Sequence, residues 1–154
     1  MTDLQKLMDS RLLFLTQAEP IIDASLFRER VRSLLSSPER GRYVRHAQDT
    51  DPSNCFGTTL YIVGSLPTPR FVHGDKLSRC LEQNSLSKKK PDSIIALFDE
   101  EHLLHTGVYL GDCAQGGVVI HQPDTGEDYA VDPLEAMCFL YPATRKEFYT
   151  FRTS

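Results

Sequence analysis

The stretch Asp51–Gly64, DPSNCFGTTLYIVG, puts a thiol where a run of turn formers gives way to an apolar run. A helix beginning at Cys55 would carry about half a positive charge and several unpaired N–H groups at its start. A thiol placed there has a lowered pKa, and the thiolate is its nucleophilic form. The same N–H groups can hold the oxyanion that forms when a carbonyl is attacked. Gly57, two residues on, lets another chain or a substrate come close. The chemistry expected of this arrangement is nucleophilic attack on an acyl carbon.

A cysteine nucleophile needs a base, and the base needs an orienting group. Five histidines are available: His46, His73, His102, His105 and His121. His105 opens the segment HTGVYLG, and His121 closes GVVIHQ. If these segments pair as a hairpin through GDCAQG, both imidazoles lie at one end of it. One could then take the Cys55 proton while the other fixes its tautomer. His46, His73 and His102 fall in segments that read as loops and are expected at the surface.

Elements that could position these groups follow from the periodicity. Leu4, Leu7, Met8 and Leu12 recur at helical spacing behind Thr2 or Asp3 as a cap. Asp23 reads as the N-cap of a second helix. Phe27, Val31, Leu34 and Leu35 form its apolar stripe, and Pro38 stops it. Residues 40–54 read as loop, and 64–74 as a connection broken by Gly64, Pro67, Pro69 and Gly74. A short helix from Asp75 to about Gln83 would turn Leu77, Cys80 and Leu81 inward. After Pro91, the runs SIIALF, LHTGVYLG, GGVVIHQ and DYAVD are rich in β-branched and aromatic residues and separated by turn formers, which predicts an antiparallel meander. A short helix from Pro133 to about Leu140 and a closing strand KEFYTFR complete the chain. Helices first and strands later predict an α+β domain, with helices on one side of an antiparallel sheet.

Composition narrows the function classes. The 154 residues suit one domain, and a 40% hydrophobic content supports a core without disulfides or a structural metal. A formal charge of −4, from 21 acidic and 17 basic side chains, argues against a nucleic-acid binder, which would show a basic face. Lys88-Lys89-Lys90 reads as a solvated loop. No apolar run reaches the roughly 18 residues that span a bilayer. The N-terminal segment lacks the pattern of a secretory signal, so a cytoplasmic location is expected. Cys55, Cys80, Cys113 and Cys138 show no Cys-x-x-Cys spacing and read as free thiols. Cys80 and Cys138 lie in apolar contexts that suit the core, and Cys113 is expected to be exposed.

The order NCFGTTLY, HTGVYLG, VVIH resembles the NlpC/P60 superfamily of papain-like cysteine peptidases and amidases. The resemblance covers about residues 40–125, and HTGVYLG is its most specific part. It implies a papain-like NlpC/P60 fold of the α+β class. N-terminal helices would pack on an antiparallel sheet, with the nucleophile at a helix N-terminus. The chain would be a single such domain, 1–154, with residues 1–40 as a helical N-terminal extension and 41–154 as the catalytic core. Carried over, Cys55 is the nucleophile, His105 the general base and His121 its orienting residue. Tyr43, upstream of the cysteine, is the counterpart of a tyrosine near the oxyanion site. The implied activity is hydrolysis of an amide or peptide bond, in peptidoglycan-type peptides, without a cofactor or metal.

Two positions depart from the family pattern. Asn54 replaces the Asp before the cysteine, and Phe56 replaces the Ser after it, which would put a bulky apolar group beside the nucleophile. These departures keep two alternatives open. One is an acyltransferase with the same acyl-enzyme chemistry. The other is a binding domain that retains the fold without activity. A fourth reading gathers His102, His105, His121 and Cys113 into a metal site.

Overall fold

The structure, a computed structural model, describes residues 2–35, 44–45, 53–82, 85–123 and 129–151. Thr2 caps the first helix, its hydroxyl accepting from the Gln5 N–H at 3.1 Å. This helix, α1 (Asp3–Ala24), is followed by α2 (Arg28–Leu34), the short strand β1 (Val44–Arg45), α3 (Cys55–Ile62) and α4 (Gly74–Glu82). The strands then come in close succession: β2 (Ser85–Ser87), β3 (Ser93–Asp99), β4 (His102–Cys113), β5 (Gly116–His121) and β6 (Tyr129–Pro133). Helix α5 (Leu134–Leu140) and strand β7 (Arg145–Thr150) end the described chain. The class is α+β.

The described strands form one antiparallel sheet in the order β1-β6-β5-β4-β3-β7-β2. The expected meander β3–β6 is its centre, and β7 returns along β3 with Ile95 opposite Phe148. Strand alternation sends side chains to two cores. One face carries Ile94, Ala96, Val108, Leu110, Val118 and Ile120 against α1, α3 and α4. The other carries Ile95, Leu97, Tyr109, Val119 and Phe148 against Leu134 and Met137 of α5. Helices therefore cover both faces, where the sequence suggested one. Helix α5 lands on the second face because it leaves directly from the end of β6.

Residues 3–24 are one helix rather than the start of two. It passes through Pro20, and Asp23 lies in its last turn, paired with Arg32, instead of capping α2. Phe14, Leu15, Ala18 and Ile22 are its buried face. Leu4, Leu7 and Met8 continue that stripe at helical spacing but stay 66%, 67% and 57% exposed. The periodicity was real, but the body of the protein ends before it does. The stripe of α2 lies as expected, with Val31, Leu34 and Leu35 buried; Pro38 lies outside the described residues. The buried faces of α1 and α2 join the core on the α3 and α4 side of the sheet.

Two loop expectations also change. Val44–Arg45 lies within the expected loop 40–54 and pairs with Tyr129 and Ala130 of β6. The connection GDCAQG shrinks to a turn at Ala114-Gln115, because β4 runs to Cys113 and β5 starts at Gly116. Gly111 at φ +151° and Gly116 at φ +107° take backbone shapes that L side chains rarely adopt. Cys113 is consequently half-buried against the core rather than exposed.

Candidate active site

Cys55 is the first residue of α3, as the turn-to-apolar transition predicted, and it is half-buried. Asn54 builds that helix start. Its Oδ1 accepts from the Gly57 N–H at 3.0 Å, the N-cap interaction that satisfies one orphan donor. The same oxygen accepts from the Val72 N–H at 3.1 Å, while Nδ2 donates to the Val72 carbonyl at 2.7 Å. One amide side chain thus caps the helix and clamps the segment ahead of α4. An aspartate could accept both bonds but could not donate the third.

Gly57 and Phe56 are explained by the same neighbourhood. A Cβ on Gly57 would stand 1.5 Å from the Arg70 carbonyl oxygen, so the chain's own backbone, not a substrate, makes the close approach. The Phe56 ring lies against Gly74, where a Cβ would be 3.2 Å from it, and packs on the core. It points toward the start of α4.

Two strand residues fix the start of α3 on the sheet. Thr106 shares a hydroxyl contact of 2.9 Å with Thr59, and its Oγ1 donates to the Cys55 carbonyl at 3.4 Å. Gln122 Oε1 accepts from Ser53 Oγ at 2.9 Å and from Thr58 Oγ1 at 2.8 Å. Thr106 follows His105, and Gln122 follows His121. Each histidine's chain neighbour therefore grips the backbone or side chains around Cys55.

The imidazoles themselves point to the opposite face, that of α5, because alternate strand residues face opposite ways. There they meet. His105 Nε2 lies 2.8 Å from His121 Nδ1, and His121 Nε2 lies 2.7 Å from Asp132 Oδ2. A carboxylate only accepts, so His121 carries its proton on Nε2 and donates to Asp132. With His121 neutral, its Nδ1 accepts, and His105 donates to it from Nε2. The lone pair of His105 is left on Nδ1, which is buried and has no hydrogen-bond partner among the described residues.

Tyr141 closes the site. Its ring stacks on His105 with centroids 3.8 Å apart and planes 4° apart, and its hydroxyl donates to the Pro123 carbonyl. Burial, and after it the neighbouring His121, pushes the His105 imidazole down to about 3. His105 is therefore neutral around pH 7 and keeps a lone pair on Nδ1. The β4–β5 ladder ends at Val108↔Ile120, whereas β3 pairs with β4 as far as His102. Around His105 and Thr106 the β5 side of β4 is thus uncovered by the sheet, at the end where α3 begins.

Of the expected site residues, the structure brings the Cys55 backbone and the two histidines to one end of the β4–β5 hairpin. Tyr43 and His46 lie outside the described residues. His73 is exposed before α4, and His102 is exposed at the first position of β4 rather than in a loop. Among the described residues no group of three His, Cys, Asp or Glu is placed to hold a metal ion. His102 and Cys113 stand at opposite ends of β4, which removes the proposed metal set. Cys80 and Cys138 are half-buried.

Asp132, Tyr141, Gln122 and Thr106 were missed by sequence reasoning. Asp132 pairs with Val119 across β5–β6, which sets it on the histidine face, but that register cannot be read from DYAVD alone. Tyr141 follows a helix on the second face of the sheet, a face on which no helix was expected. Comparison of the chain with protein-family models, with curated proteins and with solved structures gave no match.

Proposed function

We propose that the chain is a cysteine hydrolase of amide bonds, working through Cys55, His105 and His121 in the manner of the papain-like NlpC/P60 enzymes it resembles. The observation that carries this reading is the ordered line His105–His121–Asp132, which ends in a buried ring nitrogen, His105 Nδ1, without a hydrogen-bond partner among the described residues. A buried polar atom without a partner is costly, and such atoms cluster where chemistry uses them.

In this reading Cys55 Sγ reaches His105 Nδ1 past the edge of β4 that β5 leaves uncovered, gives it its proton and attacks the carbonyl carbon. The N–H groups at the α3 start hold the oxyanion. Asp132 and His121 stabilise the imidazolium, as the third member of a triad does. The C–N bond then breaks, and the proton on His105 goes to the leaving amine. Water, deprotonated by His105, attacks the thioester, and the C–S bond breaks to release the carboxylate and restore the thiol. Asn54 and Phe56 have structural tasks, so neither departure from the family pattern tells against activity. The substrate class proposed is a peptidoglycan-type peptide.

The test is a mass-spectrometric screen of short peptides, including γ-linked acidic ones, with wild type and Cys55→Ala. Cleavage by wild type and none by the folded variant is expected. Cleavage that survives in Cys55→Ala would sink the proposal. Products extended by an acyl group, rather than by water, would move the assignment to an acyltransferase.

A further inference from the structure

A cleft of 310 Å³ opens where α1 passes the end of the hairpin. Phe14, Leu15 and Val131 give it an apolar wall, and Arg11, Gln115 and Asp132 supply polar groups. Asp132 is the carboxylate that ends the histidine line. Its side chain is 28% exposed; Oδ2 receives the His121 proton, and Oδ1 has no partner among the described residues. Arg11 makes no ion pair among the described residues, with Asp132 or with any other carboxylate.

Two opposite charges that are not paired with each other, set beside an apolar wall, suit a ligand that carries both charges and a short apolar body. The volume is at the low end of small-molecule sites, roughly 300–1,000 Å³, which fits one amino acid better than a peptide. We infer that this cleft binds a free aliphatic α-amino acid, its carboxylate on Arg11, its ammonium on Asp132 Oδ1 and its side chain against Phe14, Leu15 and Val131. Such contacts are charge-assisted, and the carboxylate can bind the guanidinium through both oxygens.

The bound ammonium shares Asp132 with His121. It draws charge from the Asp132–His121 bond, and with it from the support of an imidazolium at His105. The cleft is thus a regulatory site that reaches the catalytic line through one carboxylate. A peptide hydrolase would release this class of molecule, so the cleft would sense product; that last link rests on the hydrolase reading, whereas the binding does not.

The test is ring-nitrogen NMR on the full chain labelled with ¹⁵N-histidine, titrated with L-leucine near neutral pH. The expected result is a saturable change at His121 Nε2. Isocaproate, which lacks the ammonium, and isopentylamine, which lacks the carboxylate, should each bind roughly tenfold more weakly. Arg11→Met should weaken L-leucine binding by a similar factor and leave the ligand-free His105 and His121 signals in place. No saturable change with L-leucine, an equal one in Arg11→Met, or binding that leaves His121 unmoved would each overturn the proposal. No activity is read, so an active enzyme with a silent His121 would lose the cleft alone.

Discussion

His105 Nε2 and His121 Nδ1 stand 2.8 Å apart, and the carboxylate of Asp132 beyond them decides which way that bond runs. Because Asp132 takes the His121 Nε2 proton, a neutral His121 accepts from His105. The orientation of both rings follows from one acidic residue at the far end. What the line delivers is a neutral His105 with its lone pair at Nδ1.

Asp132→Asn tests that delivery. The amide keeps the shape but can offer N–H to His121 Nε2, moving the His121 proton to Nδ1 and leaving His105 Nε2 without an acceptor. The turnover number on an identified substrate should fall by roughly 10²–10⁴. Circular dichroism should show the fold retained. A variant as fast as wild type would mean that the line plays no part in catalysis.

The depressed His105 imidazole makes stability depend on pH. Between about 3 and the unfolded value of 6.5, the unfolded chain binds this proton and the folded chain does not. Stability therefore rises with pH through that window and falls on acidification, by about 1.4 kcal/mol per pH unit from this group. Above pH 6.5 the contribution is flat. Urea unfolding at a series of pH values, for wild type and His105→Asn, isolates it: the slope should be smaller in the variant. Equal slopes would show that His105 titrates normally in the folded state.

Asn54→Asp separates capping from clamping. Aspartate is as good an N-cap as asparagine. Here it would lose the donor to the Val72 carbonyl and turn a carboxylate oxygen toward that carbonyl. A destabilisation of about 1–3 kcal/mol is expected in chemical denaturation, despite the preserved cap. A neutral substitution would mean that the Val72 segment is held by other contacts.

Much of this site was legible in the sequence because it rests on local rules. A turn-to-apolar transition predicted a helix start at Cys55. The β-branched runs with polar ends predicted two strands that bring His105 and His121 together. The rest depended on register and faces. Asp132 joins His121 only because β6 pairs with β5 in one register, and Tyr141 reaches His105 only because α5 covers the second face. The continuous stripe Leu4–Leu7–Met8 misled for a related reason: helical spacing shows which face is apolar, not whether anything covers it.

The most direct test of the central claim is the pH dependence of iodoacetamide labelling at Cys55. It is followed peptide by peptide in wild type and His105→Ala, with Cys113 as an internal reference. An unassisted thiol follows a pKa of about 8.5. Wild-type Cys55 should label at pH 6–7 roughly tenfold faster than that, and His105→Ala should fall back to ordinary thiol behaviour. The same slow, base-limited profile in both proteins would contradict the account, because Cys55 would then have no base in His105.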